Sequence, residues 1–388
     1  MGRIWSVLIL FILFFLSPVF VQAINGDANL DGRVDGLDYV IWLDNYNQTV
    51  TSGQRLGDFD GSGHVDGIDY VIWRNNYLVS PTGSLSPSPA NQVSCLDRPG
   101  PLLTLNGLQK ERFNTKYDHL AAGTRVDART AVWTAQWPVQ DSFNYPVLVG
   151  GPGICFSGGT ITGSYPEQIT SDPHTTWDYM HSTSAMTFYS ADPVVENTTI
   201  TNYGDAINFS SSAENFHVRG VHLENIRDDC IQDDYLYGGL IEDSLLNGCY
   251  TGISSRTYDG QDPMPGDSGN NIITIKNSLI RLKPVFGVYK NKGLIPGHGE
   301  FFKWDSSGIA PRISLHNNIF RADQPANSSG MGLPEGKLAG CSNNIMVWLG
   351  TGGYPDPLPS TFNGQPCFTV TTDISVWNNA ITGWLSRH

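Results

Sequence analysis

A polar pair followed by an apolar pair returns along the C-terminal part of this chain: Asp243-Ser244-Leu245-Leu246, Asn277-Ser278-Leu279-Ile280, Asn317-Asn318-Ile319-Phe320, Asn343-Asn344-Ile345-Met346 and Asn378-Asn379-Ala380-Ile381. Recurrence of one short pattern at intervals of a few tens of residues is what successive coils of a solenoid leave in a sequence. Leu223 and Leu245 repeat at the same spacing as Ile231 and Ile253, which sets the coil length in the middle of the chain. The strands are short and alternating, with Asn, Asp and Gly at the corners. The pattern predicts an all-β parallel β-helix over residues 95–388, with inserts such as Tyr258 to Asn270 forming loops on one side. A β-sandwich is the competing all-β architecture, but its strands would not repeat at a coil length. General chirality makes the helix right-handed. Glycine is abundant (42 residues) and only 15% of the chain is charged, as suits a loop-rich extracellular β protein.

The N-terminal part is organised differently. Residues 1–23 read as an export signal: Arg3 supplies the positive end, Ile4 to Leu16 the apolar run, and Val21-Gln22-Ala23 a small-residue cleavage site. An uncleaved anchor is the alternative. Localisation is then secreted and extracellular, with no further run of membrane length. A second internal repeat follows, Gly26 to Trp42 returning as Gly57 to Trp73. Each copy sets oxygen-bearing side chains around a glycine: Asp27, Asn29, Asp31, Asp35 and Asp38 around Gly32, then Asp58, Asp60, Ser62, Asp66 and Asp69 around Gly63. Calcium takes six to eight oxygens, and such a loop bends them around one ion, with Arg33 and His64 offering backbone carbonyls. Metal-free Asp-rich turns are the plain alternative. A short apolar helix follows each loop, and Tyr39, Trp42 and Leu43 are expected to pack against their repeat mates.

Residues 24–78 resemble a type I dockerin, a small all-α module of paired EF-hand-like loops. The resemblance implies one Ca2+ per loop and a cohesin-like scaffold protein as partner. The pairs after the ninth loop position, often hydroxyl-bearing in that family, are Gly36-Leu37 and Gly67-Ile68 here. Residues 79–94, rich in Ser and Pro, form a linker.

The chemistry is concentrated in Arg227-Asp228-Asp229-Cys230-Ile231-Gln232-Asp233-Asp234. Four carboxylates this close must raise one another's pKa or recruit a cation. Setting Ile207, Ile231, Ile253 and Val288 in register brings Asp205 beside Asp229, then Thr251, with Arg256, Lys290 and Lys292 on the following coils. This stretch resembles the pectin lyase-like superfamily of β-helix enzymes, polygalacturonases above all. Gly204-Asp205 and Asp228-Asp229-Cys230 match that family's acidic segments, Thr251 stands where it carries His, and Val288-Tyr289-Lys290 keeps its Lys without its Arg. The resemblance implies hydrolysis of an acidic, pectin-like polysaccharide, with Asp229 as acid, Asp205 and Asp228 activating water, and Lys290 gripping a uronate. Arg256, Lys292, Asp233 and Asp234 would bind substrate. Inverting hydrolysis needs its two carboxyls about 6.5–9.5 Å apart.

Two other functions compete. A polysaccharide lyase would hold a further calcium on the acidic row and use Arg256, Lys290 or Lys292 as base. A non-catalytic glycan-binding or surface-structural protein would use the row as an ion-pair ladder. The formal charge of −14 argues against nucleic acid or an anionic membrane as partner. All six cysteines lie in the second domain; Cys341 with Cys367 is the preferred bridge, while Cys230 reads equally as a core thiol or a bridged one. Gly297-His298-Gly299 reads as a turn, Trp133, Trp137 and Trp177 as core or rim, and Phe301 to Trp304 as a further strand whose Lys303 extends the basic row.

Overall fold

The structure, a computed structural model, describes residues 25–30, 34, 36–51, 53–76, 94–110, 119–134, 146–163, 183–257, 269–285, 296–306, 308–327 and 330–388. The export signal, nearly all of the linker, Asp31, Arg33, Asp35, Trp137, Trp177, Val288, Lys290, Lys292 and residues 258–268 of the expected insert lie outside the described residues. The chain divides into two compact units, Met1–Ser88 and Pro89–His388.

In the first unit each Asp-rich loop leads into a helix, α1 (Gly36–Asp44) and α2 (Gly67–Asn76). The two repeats interlock through aromatic rings, Tyr39 lying 5.0 Å from Trp73 and Trp42 5.3 Å from Tyr70. The glycine opening each loop abuts the tryptophan of the other copy. A Cβ on Gly57 would fall 2.5 Å from the Trp42 backbone, and one on Gly26 3.2 Å from that of Trp73. Both glycines also have positive φ, so their repetition is a packing requirement. Leu43, expected in this interface, is instead exposed at 37%.

In the second unit, 21 strands of the described residues join into one sheet whose pairings are parallel, coil upon coil. This is a parallel β-helix, and the recurring four-residue pattern explains how it is built. Asp243, Asn277, Asn317 and Asn343 take the left-handed conformation, with φ between 44° and 55°, which Asn and Asp tolerate better than other side chains. The next residue points inward and bonds to its counterpart one coil on. Ser278 Oγ accepts from the Ser244 N–H, Asn318 Oδ1 from that of Ser278, and Asn344 Oδ1 from that of Asn318. Of the apolar pair, Leu246, Ile280, Phe320 and Met346 enter the main core. Leu245, Leu279, Ile319 and Ile345 point to the other face.

That outer apolar column is covered by α3 (Ile374–Leu385), which buries Trp377 and Trp384 against it. Asn378-Asn379-Ala380-Ile381 is therefore helical and not a coil corner. Ile374, Trp377, Ile381 and Trp384 fall at helical spacing, and Asp373 caps the start by accepting from the Ser375 N–H at 2.8 Å. Three disulfides tie the coils together: Cys95–Cys155, Cys230–Cys249 and Cys341–Cys367. The last is the expected pair, and Cys230 proves to be bridged.

An outward column of ionisable residues runs across five coils, Glu196, Arg219, Glu242, Lys276 and His316, each in register with the next. Signs alternate from Glu196 to Lys276, and His316 closes the column beside Lys276, its imidazole held low by burial and by that cation. Arg219 Nε donates to Glu196 at 2.9 Å, Glu196 also accepts from Ser94 and the Cys95 N–H, and Glu242 holds Lys276 at 2.9 Å and His217 at 2.7 Å. Burial would push both glutamates up, but these partners outweigh it. Glu196 lies below its ordinary range and Glu242 is pulled down to about 2.

Candidate functional site

Four stacked strands carry the acidic stretch: Asp205–Phe209, His222–Asp233, Leu245–Ser255 and Phe302–Trp304. The register Ile207, Ile231, Ile253 is as expected from the repeat, and Asp229 pairs with Thr251. The fourth member differs. Phe302, and not Val288, stands beside Ile253, which makes Lys303 the neighbour of Ser254. Val285 pairs instead with Gly297 in an antiparallel bridge, so counting residues onward from the third coil lost the register.

Asp205, Asp228 and Asp229 converge, one oxygen of each lying within 4.8 Å of the others, and all three are buried. Asp205 Oδ1 accepts from the Asp229 N–H at 3.0 Å, and Ser184 Oγ donates to Asp205 Oδ2 at 3.3 Å. Lys303 spans the coils to reach Asp229, with Nζ 2.9 Å from Oδ2 and 3.3 Å from Oδ1, and stands 4.0 Å from Asp228 Oδ1. Among the described residues Asp228 Oδ1 has no hydrogen-bond partner.

The electrostatics follow from one cation facing three anions. Burial raises Asp205 well above its ordinary range and the charges of Asp228 and Asp229 raise it further; burial and then Asp229 do the same to Asp228. Burial alone would depress the Lys303 ammonium, but Asp229 and Asp228 outweigh it and hold the lysine above its usual range. The neighbouring Tyr250 hydroxyl is pushed up by burial and by Asp228. One proton shared within Asp205 and Asp228 is the economical state of such a group.

The flanking acids behave differently. Asp233 is enclosed, accepting from Ser255 Oγ at 3.0 Å and the Tyr235 N–H at 3.1 Å, and burial pushes it up to about 8. Asp234 is half-buried and stands at about 6, raised by burial and Asp229 and eased by Lys303, Asn208 and Arg256. Arg256 is exposed. His298 is buried, its ring nitrogens 2.8 Å from the Gly299 carbonyl and 2.9 Å from that of Gln324, so it braces the turn that contains it. A Cβ on Gly299 would fall 2.9 Å from Thr251 Oγ1, so the third coil is closely backed where the polygalacturonase pattern has histidine.

Sequence reasoning gave Lys303 only the end of a basic row. Its signal was present in Phe301-Phe302-Lys303-Trp304, a lone cation in an apolar strand.

In the first unit, Asp58, Asp60 and Asp69 bring one oxygen each within 4.8 Å of one another. Asp69 Oδ1 accepts from the Phe59 and Asp60 N–H groups and Oδ2 from that of Asp66. Asp38 Oδ1 accepts from Ala28 and Asn29 in the first loop in the same way. Among the described residues Asp58 Oδ1 is buried without a hydrogen-bond partner. These carboxylate oxygens are of the hard kind that calcium takes.

No protein-family model matches the chain, and no curated protein or solved structure matches it significantly. Fold and site together define a parallel β-helix protein, an architecture common among polysaccharide-active enzymes, with a buried carboxylate trio set against one lysine.

Proposed function

We propose that the chain is a secreted carbohydrate-active protein that hydrolyses a glycosidic bond, its substrate an acidic, pectin-like polysaccharide. The observation that supports this most is the convergence of Asp205, Asp228 and Asp229 on Lys303. Hydrolysis needs a protonated carboxyl for the leaving oxygen and an ionised one to attack or activate water. Three buried carboxyls sharing one cation supply both at once. Asp229 is the member whose charge Lys303 neutralises, while Asp205 and Asp228 are the members pushed toward the protonated form. The proton donor is therefore assigned to the Asp205 and Asp228 pair, with Asp228 favoured by its unpartnered oxygen. This redistributes the roles that family resemblance suggests.

The anomeric configuration of the first product, followed by NMR, assigns the carboxyls their roles: inversion for a pair that activates water, retention for one that attacks the sugar.

A lyase reading draws on the same trio as a cation site, with Arg256 as the described candidate base. Incubation with acidic polysaccharides in calcium separates the readings. New reducing ends without ultraviolet-absorbing products support hydrolysis; unsaturated products support the lyase. No cleavage of acidic or neutral polymers leaves a glycan-binding or structural protein.

For residues 24–78 we propose a dockerin-like tether binding one calcium per loop, held in the second by Asp58, Asp60 and Asp69 and in the first by Asp27 and Asp38. Calcium would supply the charge that lets these oxygens crowd together, and a cohesin-like scaffold protein is the proposed partner. A calcium-dependent change in helix content on chelation tests the metal.

A further inference from the structure

The outward face that carries the ion column ends in a different kind of contact. On the strand Arg312–His316 the residues Ile313 and Leu315 enter the core, so Ser314 and His316 point outward. On the next coil Ser342 stands in register with His316, and Gly340 with Ser314. Ser314 Oγ lies 2.7 Å from His316 Nε2, and Ser342 Oγ lies 2.7 Å from His316 Nδ1. All three residues are part-buried, neither sealed in the core nor free in solvent. The other histidine of this face, His217, meets the Glu242 carboxylate and belongs to the ion column, whereas His316 has a hydroxyl at each ring nitrogen.

A neutral imidazole donates from one nitrogen and accepts at the other, so one serine accepts from the ring while the other donates to it. Burial and Lys276 hold His316 below its ordinary value, which keeps the ring neutral at pH 7. The backbone singles out Ser314 as the donor. The register slips between Ile313 and Ser314, so that Ala339 is the extra residue of a bulge and Gly340 comes opposite Ser314. A Cβ on Gly340 would overlap Ser314 Oγ and fall 3.2 Å from His316 Nε2. The Ser314 hydroxyl thus occupies room that any other residue at this position would fill. A column that served only to stack coils has no use for that clearance, as its members Lys276 and Glu242 show by pairing directly.

A hydroxyl, a base within hydrogen-bond reach of it and a third group that orients the base are the parts of nucleophilic catalysis. A cation stands beside them. Lys276 is in register with His316 on the coil before, and its contact with Glu242 uses one of the three donors of an ammonium. Such a cation favours the oxyanion that forms when a hydroxyl adds to an ester. Thr274 and Lys276 flank Ser314 and His316 on the coil before, so the surroundings are polar and suit a short acyl group on a polar carrier better than a lipid ester. A serine orients the ring without the charge that a carboxylate would add, so turnover is expected to be modest.

We propose that Ser314, His316 and Ser342 form a second catalytic site, an esterase that removes short acyl groups such as acetyl from glycan hydroxyls. Ser314 Oγ attacks the ester carbonyl carbon while His316 Nε2 takes its proton, and the electron pair displaced onto the carbonyl oxygen is stabilised by Lys276. As the carbonyl re-forms, the bond to the sugar oxygen breaks and Nε2 delivers the proton to that oxygen, leaving a free sugar hydroxyl and acetyl on Ser314. Water then attacks the acetyl carbonyl and gives a proton to Nε2. The bond to Oγ breaks as Nε2 returns that proton to Ser314, and acetic acid leaves. Ser342 accepts from the Nδ1 N–H throughout and is a positioning residue. The site rests on the glycan reading only for the carrier of the acyl group.

The test uses the full-length protein, a fluorophosphonate probe that phosphonylates activated serines with loss of fluoride, and p-nitrophenyl acetate, acetylated xylan and acetylated pectin as substrates. Peptide mass mapping is expected to find the probe on Ser314. Ser314→Ala and His316→Ala should each lower kcat/KM for p-nitrophenyl acetate at least about a hundredfold, the usual contribution of a positioned base, with melting temperature retained. Ser342→Ala should lower it about tenfold, as loss of one hydrogen bond does, and Ser342→Thr, which keeps the hydroxyl, should restore it. Gly340→Ala, whose Cβ displaces the Ser314 hydroxyl, should abolish labelling although Ser314 and His316 are both present. An unmodified Ser314, labelling of Ser342 in its place, or p-nitrophenyl acetate turnover equal in wild type and Ser314→Ala would overturn the site. Turnover of p-nitrophenyl acetate without acetate release from either polymer would overturn the glycan as carrier. Failure to cleave any polysaccharide backbone, with Ser314 labelled as expected, would sink glycosidic hydrolysis and leave the esterase standing.

Discussion

Two groups of ionisable side chains are stacked on neighbouring coils of one β-helix, and they follow opposite rules. The column Glu196, Arg219, Glu242, Lys276 alternates in sign and ends on His316, and both of its glutamates are met by cations and hydrogen-bond donors. The group Asp205, Asp228, Asp229 stacks like charges around a single lysine and leaves Asp228 Oδ1 without a hydrogen bond among the described residues, 4.0 Å from the Lys303 ammonium. Coil spacing of about 4.8 Å is common to both. The crowding of the trio is therefore not forced by the architecture, which accommodates paired charges one face away. In the first group burial is offset and the acids sit low; in the second it is reinforced and Asp205 and Asp228 sit high. Perturbation by desolvation plus like charge is the pattern expected of reacting groups, and alternation that of structural ones.

The largest effect should come from removing the cation of the trio. Lys303→Met leaves three buried carboxyls with no counter-charge, and breaking such a pair costs about 3–5 kcal/mol. Denaturant unfolding should show that loss at neutral pH, with partial recovery in Lys303→Met combined with Asp229→Asn. If Lys303→Met is as stable as wild type, the trio is not organised by the lysine.

Next comes a crossed pair of variants. Asp228→Asn should lower turnover at least about a hundredfold, the usual contribution of a positioned proton donor, with no loss of melting temperature, because it relieves like-charge repulsion. Glu242→Gln should do the converse, lowering stability by about 1–3 kcal/mol through the buried partners it weakens while leaving turnover intact. Loss of both properties in either variant would erase the distinction between the two groups.

The same division governs pH. Asp205, Asp228, Asp233 and Asp234 are raised on folding, so their contribution is complete below the unfolded value near 3.8 and is lost as pH climbs through about 6 for Asp234 and about 8 for Asp233. Glu242 and Glu196 are lowered on folding. Their contribution is complete above about 4.5 and is lost as pH falls, toward about 2 for Glu242. Thermal melts between pH 3 and 9 should accordingly peak in the mildly acidic range, and Glu242→Gln should flatten only the acid limb.

How much of this was readable beforehand depends on whether a feature is local or set by insert length. The corner residues Asp243, Asn277, Asn317 and Asn343 were legible because left-handed φ selects Asn and Asp. Asp205 beside Asp229 was legible because successive coils there differ little in length and each repeats an Asp before an inward apolar residue. The fourth coil was not, since a longer stretch intervenes between Leu282 and Phe302 and nothing in it marks the return of register. Lys303 was thus read only as the end of a basic row, while Lys290 lies outside the described residues. The Asn378-Asn379 corner misled because polar, polar, apolar, apolar also fits a helix, and only Ile374, Trp377, Ile381 and Trp384 taken together reveal that period. Bridging of Cys230 required knowing that Cys249 ends up 5.5 Å away in Cα position on the next coil.

The finest distinction concerns Asp233, an acid beside the trio that should behave as neither group does. It is enclosed, bonded to Ser255 and the Tyr235 backbone, and pushed up to about 8, so at neutral pH it is mainly an uncharged hydrogen-bonding group. Asn offers an acceptor of nearly the same shape and never ionises. Asp233→Asn is therefore expected to change stability near pH 4 by less than about 1 kcal/mol, within the range of ordinary near-isosteric replacements. Its effect should grow as pH rises from there to about 8, because wild type must fold with a protonated carboxyl that is ionised in the unfolded chain, whereas the variant has nothing there to titrate. Melting curves of the two proteins should run together near pH 4, diverge as pH rises toward about 8 with the variant the more stable, and run parallel above that. Curves that stay together would mean that Asp233 ionises freely where it sits, and that burial alone does not set the acids of this face apart from those of the alternating column.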